Sequence, residues 1–502
     1  MNQETQTKKP PYLMIAILFV GAFVAFLNNT LLNVALPTIM VDLGIKDYST
    51  VQWLSTGYML VSGVLVPASA FFITKFKNRH IFIVSMSLFL LGTILAAVAP
   101  SFGVLLAGRM VQAAGAATMS PLLMNVMLSS FPIEKRGAAM GIFGLVMIAA
   151  PAIGPTLSGW IVEHHDWRLL FEMIIPFAVI SLLLGIWKLE NVMETRDVKL
   201  DYFSLVLSTI GFGGLLYGFS SAGSKGWDTP EVYGTIIVGG ISVLLFILRQ
   251  VKMEQPLLNL RIYKYPMFAL ASIISMVVSV AMFSGMILTP AYIQTVRGIS
   301  PLDAGLMMLP GAILMGLMSP ITGKLFDKYG PKILALIGLT ITTVSTYCLS
   351  KLSMDSSYAY IITVYTIRMM GMSLVMMPIM TNGLNSLPMK MNPHGTAINN
   401  TVQQVSGAIG TAILVTIMNS HIKTRAAELA ADAQANMVAS GVTPTESQIA
   451  EMTAQIGQTA MLDGINYTFM VATIVAAVAL FLALFLKRVD VTKREGYQSP
   501  QK

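Results

Sequence analysis

Apolar stretches of about 18 to 25 residues recur from one end of this chain to the other, separated by short polar breaks. A stretch of that length is too long for an ordinary core strand and long enough, as a helix, to cross the hydrocarbon of a bilayer. Hydrocarbon offers no partner to a bare backbone N–H or C=O, so each stretch must be helical. The runs lie near residues 12–37, 50–73, 80–98, 103–130, 136–161, 168–188, 202–220, 232–249, 267–290, 302–323, 332–350, 357–387, 395–420 and 465–486. They predict an all-α membrane protein with fourteen transmembrane helices. The lipid bilayer is then its principal partner.

Charge supports a lipid solvent. Only 11% of the 502 residues are charged and 55% are apolar, against about 25% charged in a soluble chain. A net charge of +8 would suggest nucleic acid in a soluble protein. In a membrane protein the placement of Lys and Arg matters more than their total, and no nucleic-acid partner is expected. With an N-terminus inside, 23 of the 32 Lys and Arg fall in inside breaks and 7 in outside ones, leaving Arg109 and Arg368 within spans. That asymmetry predicts a multi-pass protein with both termini cytoplasmic. Lys8 and Lys9 precede a run too long for a signal-peptide core, so it reads as the first span. Cys348 is the single cysteine, which excludes an internal disulfide and a CxxC metal site. Neither GxxxxGK[ST] nor HExxH occurs, so no enzyme, P-loop ATPase, metal or cofactor is expected.

The chain repeats itself. Pro67-x-x-Ala70 followed by Lys75-Phe76-x-x-Arg79 has the spacing of Pro320-x-x-Gly323 followed by Lys328-Tyr329-x-x-Lys332. Arg109, Pro121 and Asn125 in the fourth span are echoed by Arg368, Pro378 and Asn382 in the twelfth. Both offsets are eight spans, so the copies run parallel. Two six-helix bundles, 1–190 and 266–502, then flank two inserted helices in 191–265. Parallel halves of this kind are a transporter architecture that holds substrate at their interface. Residues 422–464 are polar and Ala-rich and read as an external loop, with a short helix from about 444 to 461 opened by Thr443, Pro444 and Glu446.

Polar groups inside spans mark candidate chemistry. Arg109 cannot shed its proton at membrane depth, and Gln112 lies one turn away on the same face. Asn29 and Asn33 share a face, as do Asn400 and Gln404; each pair either lines a substrate path or bonds between helices. Glu172 is an acid within the sixth span, either a proton site or an ion-pair partner of Arg168 near the outer surface. Tyr58 and Trp53 could stack on a ligand, and Trp53 also sits where an interfacial belt residue would. The fifth span reads G-x6-P-x-x-G-P-x-x-S-G from Gly144 through Pro151, Gly154, Pro155 and Ser158 to Gly159. Small residues there permit close helix approach, and the prolines bend the helix.

This last stretch resembles the antiporter motif of the major facilitator superfamily. Residues 27–37, Leu27-Asn28-Asn29-Thr30 through Pro37, resemble the first-helix signature of its fourteen-helix drug:proton antiporters of the EmrB/QacA type. Arg109-x-x-Gln112-x-x-Gly115, the loop Phe131-Pro132-x-Glu134-Lys135-Arg136-Gly137, and Trp167-Arg168 with Pro176 resemble further motifs of that family. The likeness is particular to the lincomycin-resistance type of Gram-positive bacteria. It implies a major facilitator fold and a monomeric plasma-membrane exporter of lipophilic or cationic compounds. Protons are the implied coupling ion, and Arg109 belongs to the implied relay. Pro151, Gly154, Pro155 and Gly159 become the hinge. The alternatives are export of a physiological metabolite or lipid, or a transport-dead sensor. Two departures stand out. The first-copy loop after Ala70 lacks the family's aspartate while the second keeps Asp327, which places the inside gate there, the alternative being an aspartate that only solvates its loop. Similar exporters carry an acid at the position of Asn28 or Asn29, where this chain has amides.

Overall fold

The computed structural model describes residues 12–45, 48–132, 135–193, 195–198, 200–440 and 445–489. The long helices are α1 (Tyr12–Asp42), α2 (Tyr48–Lys75), α3 (Asn78–Ala97), α4 (Phe102–Ala116), α5 (Met119–Ser130), α6 (Arg136–His164), α7 (Leu169–Glu172), α8 (Ile174–Lys188), α9 (Tyr202–Lys225), α10 (Pro230–Lys252), α11 (Pro266–Ala291), α12 (Pro301–Tyr329), α13 (Pro331–Leu349), α14 (Tyr358–Ser373), α15 (Met376–Asn385), α16 (Asn392–Ser440) and α17 (Glu446–Ala483). Three of the sixteen boundaries between these helices are breaks within a span, and each has a proline as its cause. A proline cannot bond to the carbonyl four residues earlier. Pro121 frees the carbonyl of Ala117 between α4 and α5, and Pro378 frees that of Leu374 between α14 and α15. Pro176 does the same to Glu172, where α7 ends. Counting each broken pair once gives fourteen spans. Thirteen are long and apolar enough to cross a membrane among the described residues, and α6, at 29 residues, is the other.

The two bundles pair their helices alike. In the first, α2 and α3 pack on α4, α1 packs on α6 and α8, and α3 on α8. In the second, α12 and α13 pack on α14, α11 on α16 and α17, and α13 on α17. This is one arrangement used twice, with two pseudo-symmetric six-helix bundles flanking α9 and α10. Glycine sets the closeness within each. A Cβ on Gly92 of α3 would lie 2.5 Å from the carbonyl of Gly108, and one on Gly338 of α13 would lie 2.6 Å from that of Gly371. Backbones approach this closely because lipid gives helices little other reason to associate than tight packing.

The inserted pair straddles a seam between the bundles. Leu216 of α9 fills the space over Gly63 of α2, while Trp227 donates to the Thr416 hydroxyl of α16 at 2.6 Å. Trp53 of α2 is stacked on Tyr217 of α9, ring centroids 5.4 Å apart, rather than left to face a ligand. Arg249 of α10 holds Asp201, just before α9, through bonds of 2.7 and 3.1 Å. Those bonds from the guanidinium hold the Asp201 carboxyl at about 2, below its usual 3.8. A lowered carboxylate contributes stability above its ordinary range and loses it only as pH falls from 3.8 toward 2. Asp201→Asn is therefore expected to destabilise the detergent-solubilised protein by roughly 1 kcal/mol, equally at pH 5 and pH 8. Melting curves at both pH values check this; a deficit confined to pH 8 would contradict the assignment.

Near the far end the structure departs from the sequence reading. Residues 422–464 are not a loop carrying a separate short helix. α16 continues unbroken to Ser440 and α17 begins at Glu446. With 49 residues α16 is about 73 Å long, more than twice the hydrocarbon thickness. The two helices project together as an antiparallel hairpin, tied near its base by Arg425 to Asp463 at 2.9 Å and by His421 stacked on Tyr467 at 4.2 Å. Thr443 and Pro444 lie outside the described residues. The cap is Thr445, whose hydroxyl accepts from the Gln448 N–H while the Gln448 side chain accepts from the Thr445 N–H.

Candidate functional site

Arg109 is the centre of the first bundle's polar interior. It is fully buried, as Gln112 is. Its Nη1 donates to Asn28 Oδ1 at 2.6 Å and to Gln112 Oε1 at 3.0 Å, and its Nε to the Leu54 carbonyl at 3.4 Å. Gln112 passes the chain on, donating from Nε2 to Thr93 Oγ1 at 2.8 Å. The Tyr58 ring lies 4.4 Å from the guanidinium carbon, a cation–π contact that partly replaces lost water. Arg368 occupies the matching place in the second bundle, also fully buried. It donates from Nε to Thr346 Oγ1 at 3.1 Å and from Nη2 to the Ala281 carbonyl. No aspartate or glutamate is buried among the described residues, so both cations are held by neutral dipoles alone.

The face that carries Lys75, Arg79, Lys135, Lys328 and Arg488 is here called the basic face. On it the bundles are bolted together. Asp327, in the last turn of α12, accepts from the Gly137 and Ala138 N–H groups of α6 at 2.9 Å each. These belong to the first turn of a helix, where N–H groups have no intrahelical acceptor and the dipole favours an anion. Nearby, Ser319 donates to the Gly141 carbonyl at 2.7 Å, Asn125 to Thr396 Oγ1 at 2.7 Å, and Arg136 to Asn385 Oδ1 at 3.4 Å. These five hydrogen bonds are the ones that join the two bundles among the described residues, and all lie toward the basic face. Toward the opposite face the meeting of α6 and α12 is apolar, with Gly159 against Leu302. The molecule is closed on its basic face.

In the first copy of the repeat the position matching Asp327 is Thr74. Its hydroxyl donates to its own helix, at the Ala70 carbonyl 2.7 Å away, and makes no bolt. Asn125 and Asn382, also repeat mates, differ likewise. Asn125 crosses to the other bundle, while Asn382 holds the chain after α17, donating to the Lys487 carbonyl at 3.1 Å and accepting from the Val489 N–H at 3.3 Å. The repeat fixes where these side chains stand and leaves their partners free to diverge.

Of the residues expected from sequence, Arg109, Gln112 and Tyr58 are brought together. Asn29 is half-buried and is not part of that cluster; its neighbour Asn28, 2% exposed, bonds Arg109 instead. The side chains of Asn33, Pro151 and Pro155 lie outside the described residues, and α6 runs on through both prolines. Gly154 receives Thr30 of α1, whose hydroxyl would meet a Cβ at 2.2 Å. On α16, Asn400 is half-buried with Nδ2 unbonded, and the Gln404 carbonyl oxygen lies beside Gly63. Glu172 ends α7 and is exposed rather than buried, and its expected partner is taken: Arg168 pairs with Asp42 at 3.1 Å and Asp166 at 3.4 Å. Hydrogen bonds from Trp167 and Arg168 hold the Asp42 carboxyl below its usual range, so this knot stays ionised near neutral pH.

The model of the Major Facilitator Superfamily matches residues 18–411. The chain belongs to that superfamily. It is 44% identical to the lincomycin resistance protein LmrB of Bacillus subtilis, over 97% of this chain and 98% of that one. A similar match, 42% identical over 97% of this chain and all of its counterpart, is to LmrB of Listeria monocytogenes. Among solved structures, the human organic anion transporter MFSD10 (TETRAN) superposes with a TM-score of 0.62 at 12% identity, covering 93% of this chain and all of that one. At that identity the likeness is one of fold. As a superfamily member the chain is a multi-pass membrane transporter of small molecules. Sequence reasoning missed Thr93, Thr396, Ser319 and Asn385, and noted Asn125 only as a repeat mate of Asn382. Each is a buried polar residue in an apolar run, a signal that was present but named no partner.

Proposed function

We propose that this transporter exports lipophilic, drug-like compounds across the plasma membrane in exchange for protons, with the basic face and both termini in the cytoplasm. The likeness to two lincomycin resistance proteins over nearly the whole chain supports the export reading. The concentration of Lys and Arg on one face supports the orientation. Export by alternating access then requires the bolt at Asp327 to open so that the chamber loads from the cytoplasm, and to close again before release. Three further bonds, those of Ser319, Asn125 and Arg136, yield in the same movement. A proton entering down the membrane potential supplies about 2.3 kcal/mol per 100 mV, comparable to one or two such hydrogen bonds. No buried acid near Arg109 is available to carry it, which leaves the carboxylates at the two faces as carriers, with Asp327 placed to couple protonation to the bolt.

Reconstituted vesicles test this directly. An imposed proton gradient is expected to drive accumulation of a fluorescent lipophilic dye, and a protonophore to abolish it. Flux indifferent to the gradient would refute proton exchange, and flux confined to a single metabolite would refute the drug-export reading.

A further inference from the structure

Among the described residues no buried carboxylate answers the charge of Arg109, and part of its donor capacity is unspent. Its Nη1 and Nε bond to neutral oxygens, while Nη2 is buried without a partner. A buried cation held only by dipoles is costly, and an unsatisfied guanidinium N–H adds to that cost. The repeat mate gives a built-in comparison. Arg368 also leaves one nitrogen, Nη1, without a partner, but the backbone of Gly285 is pressed against it, so that even a Cβ there would lie 2.1 Å away. That side of the Arg368 guanidinium is filled by the α11 backbone. No glycine backbone presses on Arg109 in this way. What lies over its guanidinium is a side chain, the Tyr58 ring, 4.4 Å from the guanidinium carbon.

Asn28 is the second half of the observation. Its Oδ1 accepts from Arg109 at 2.6 Å, so the contact a carboxylate would make is kept while the negative charge is withheld. An acid at this position would neutralise Arg109 from within. An amide leaves the cation available, and a cationic solute beside it would be repelled.

We infer that Arg109 is the charge selector of the transport site and takes an acidic oxyanion group, such as a carboxylate, borne on a lipophilic substrate. The inference rests on the export reading and narrows it. A substrate carboxylate gives Nη2 a charge-assisted bond, and Asn28, Gln112 and Tyr58 hold the guanidinium in place to receive it.

Rhodamine B and its ethyl ester make a matched pair, because they differ only in a free carboxylate. Binding of each to the purified full-length protein in detergent is measured by fluorescence polarisation. The acid is expected to bind at least about tenfold more tightly than the ester. Arg109→Gln is expected to bring the two affinities together. Asn28→Asp, which keeps the bond to Arg109 and neutralises it internally, is expected to do the same; it serves if the glutamine variant does not fold. A purely structural role for Arg109 would weaken both dyes equally and leave their ratio intact. That result, ester binding as tight as acid binding in the native protein, or failure to bind either dye, overturns the inference. Flux separates this from the export reading. Acid-selective binding without transport of either dye in vesicles would refute export and leave the selector standing.

Discussion

Replacing Asp327 by alanine is expected to open the basic face. The carboxylate makes two bonds of 2.9 Å to backbone N–H groups at the start of α6. Bonds to a charged acceptor contribute about 1.5–3 kcal/mol each, and losing them leaves two N–H groups at a helix start without an acceptor. Some of this is recovered by water, because Asp327 is half-buried. A net loss of about 3 kcal/mol moves the balance between closed and open forms by about two orders of magnitude. Asp327→Asn retains one acceptor and no charge, so about half that shift is expected. Spin labels at Lys135 and Lys328, both exposed on this face, read the separation of α6 and α12 directly. The alanine variant should populate a longer distance, the asparagine variant a mixture, and driven export should fall by at least about tenfold in the first. Unchanged distances in both variants would show that the bolt lies in the other bonds, with Asp327 only solvating its loop.

What the sequence made legible was set by one-dimensional physics. Apolar run length fixed the helices, and Lys and Arg placement fixed their alternation, because both are properties of a local segment. The repeated Pro and Arg spacing was also local, and it marked Arg368 and Pro378 as mates of Arg109 and Pro121 before any contact was known, without showing that those spans break there. What stayed hidden depended on partners far along the chain. Asn125 and Thr396 are 271 residues apart, and Arg136 and Asn385 are 249 apart. Nothing in either segment names the other. The choice between Asn28 and Asn29 turned on helix rotation, since neighbours on a helix point about 100° apart. The α16 and α17 hairpin was misread because its apolar signal stops near the membrane edge. Alanine, glutamate, glutamine and lysine sustain a helix in water without it. Glu172 was misplaced for a related reason: a span has a surface as well as an interior, and hydropathy does not say which way an acid faces.

The gap between α6 and α12 leaves no room for a side chain at Gly323. A Cβ there would lie 2.2 Å from the Gly137 carbonyl oxygen, 2.8 Å from its carbonyl carbon and 3.0 Å from the Ala138 Cα. All three are backbone atoms, so no rotamer change relieves the clash and α6 must move as a body. Overpacking of this kind costs about 1–3 kcal/mol. Here the cost is compounded, because Asp327 stands one turn further along α12 and reaches the N–H groups of the same two residues, Gly137 and Ala138. Moving α6 away by even about half an ångström stretches both of those bonds beyond good geometry. Gly323→Ala is therefore expected to match or exceed Asp327→Ala in opening the basic face, although it removes no polar group. Gly316, seven residues earlier on the same helix, has open space where its Cβ would be. Gly316→Ala should leave the label distances and export unchanged and raise stability slightly, by about 0.4–1 kcal/mol. The corresponding position in the first copy of the repeat is Ala70, which is fully buried and already carries a Cβ. The seam on that side thus accommodates a methyl group that the α6 and α12 seam excludes. If Gly323→Ala closes as tightly as the native chain, the two helices are free to slide, and the bolt owes its strength to the carboxylate alone.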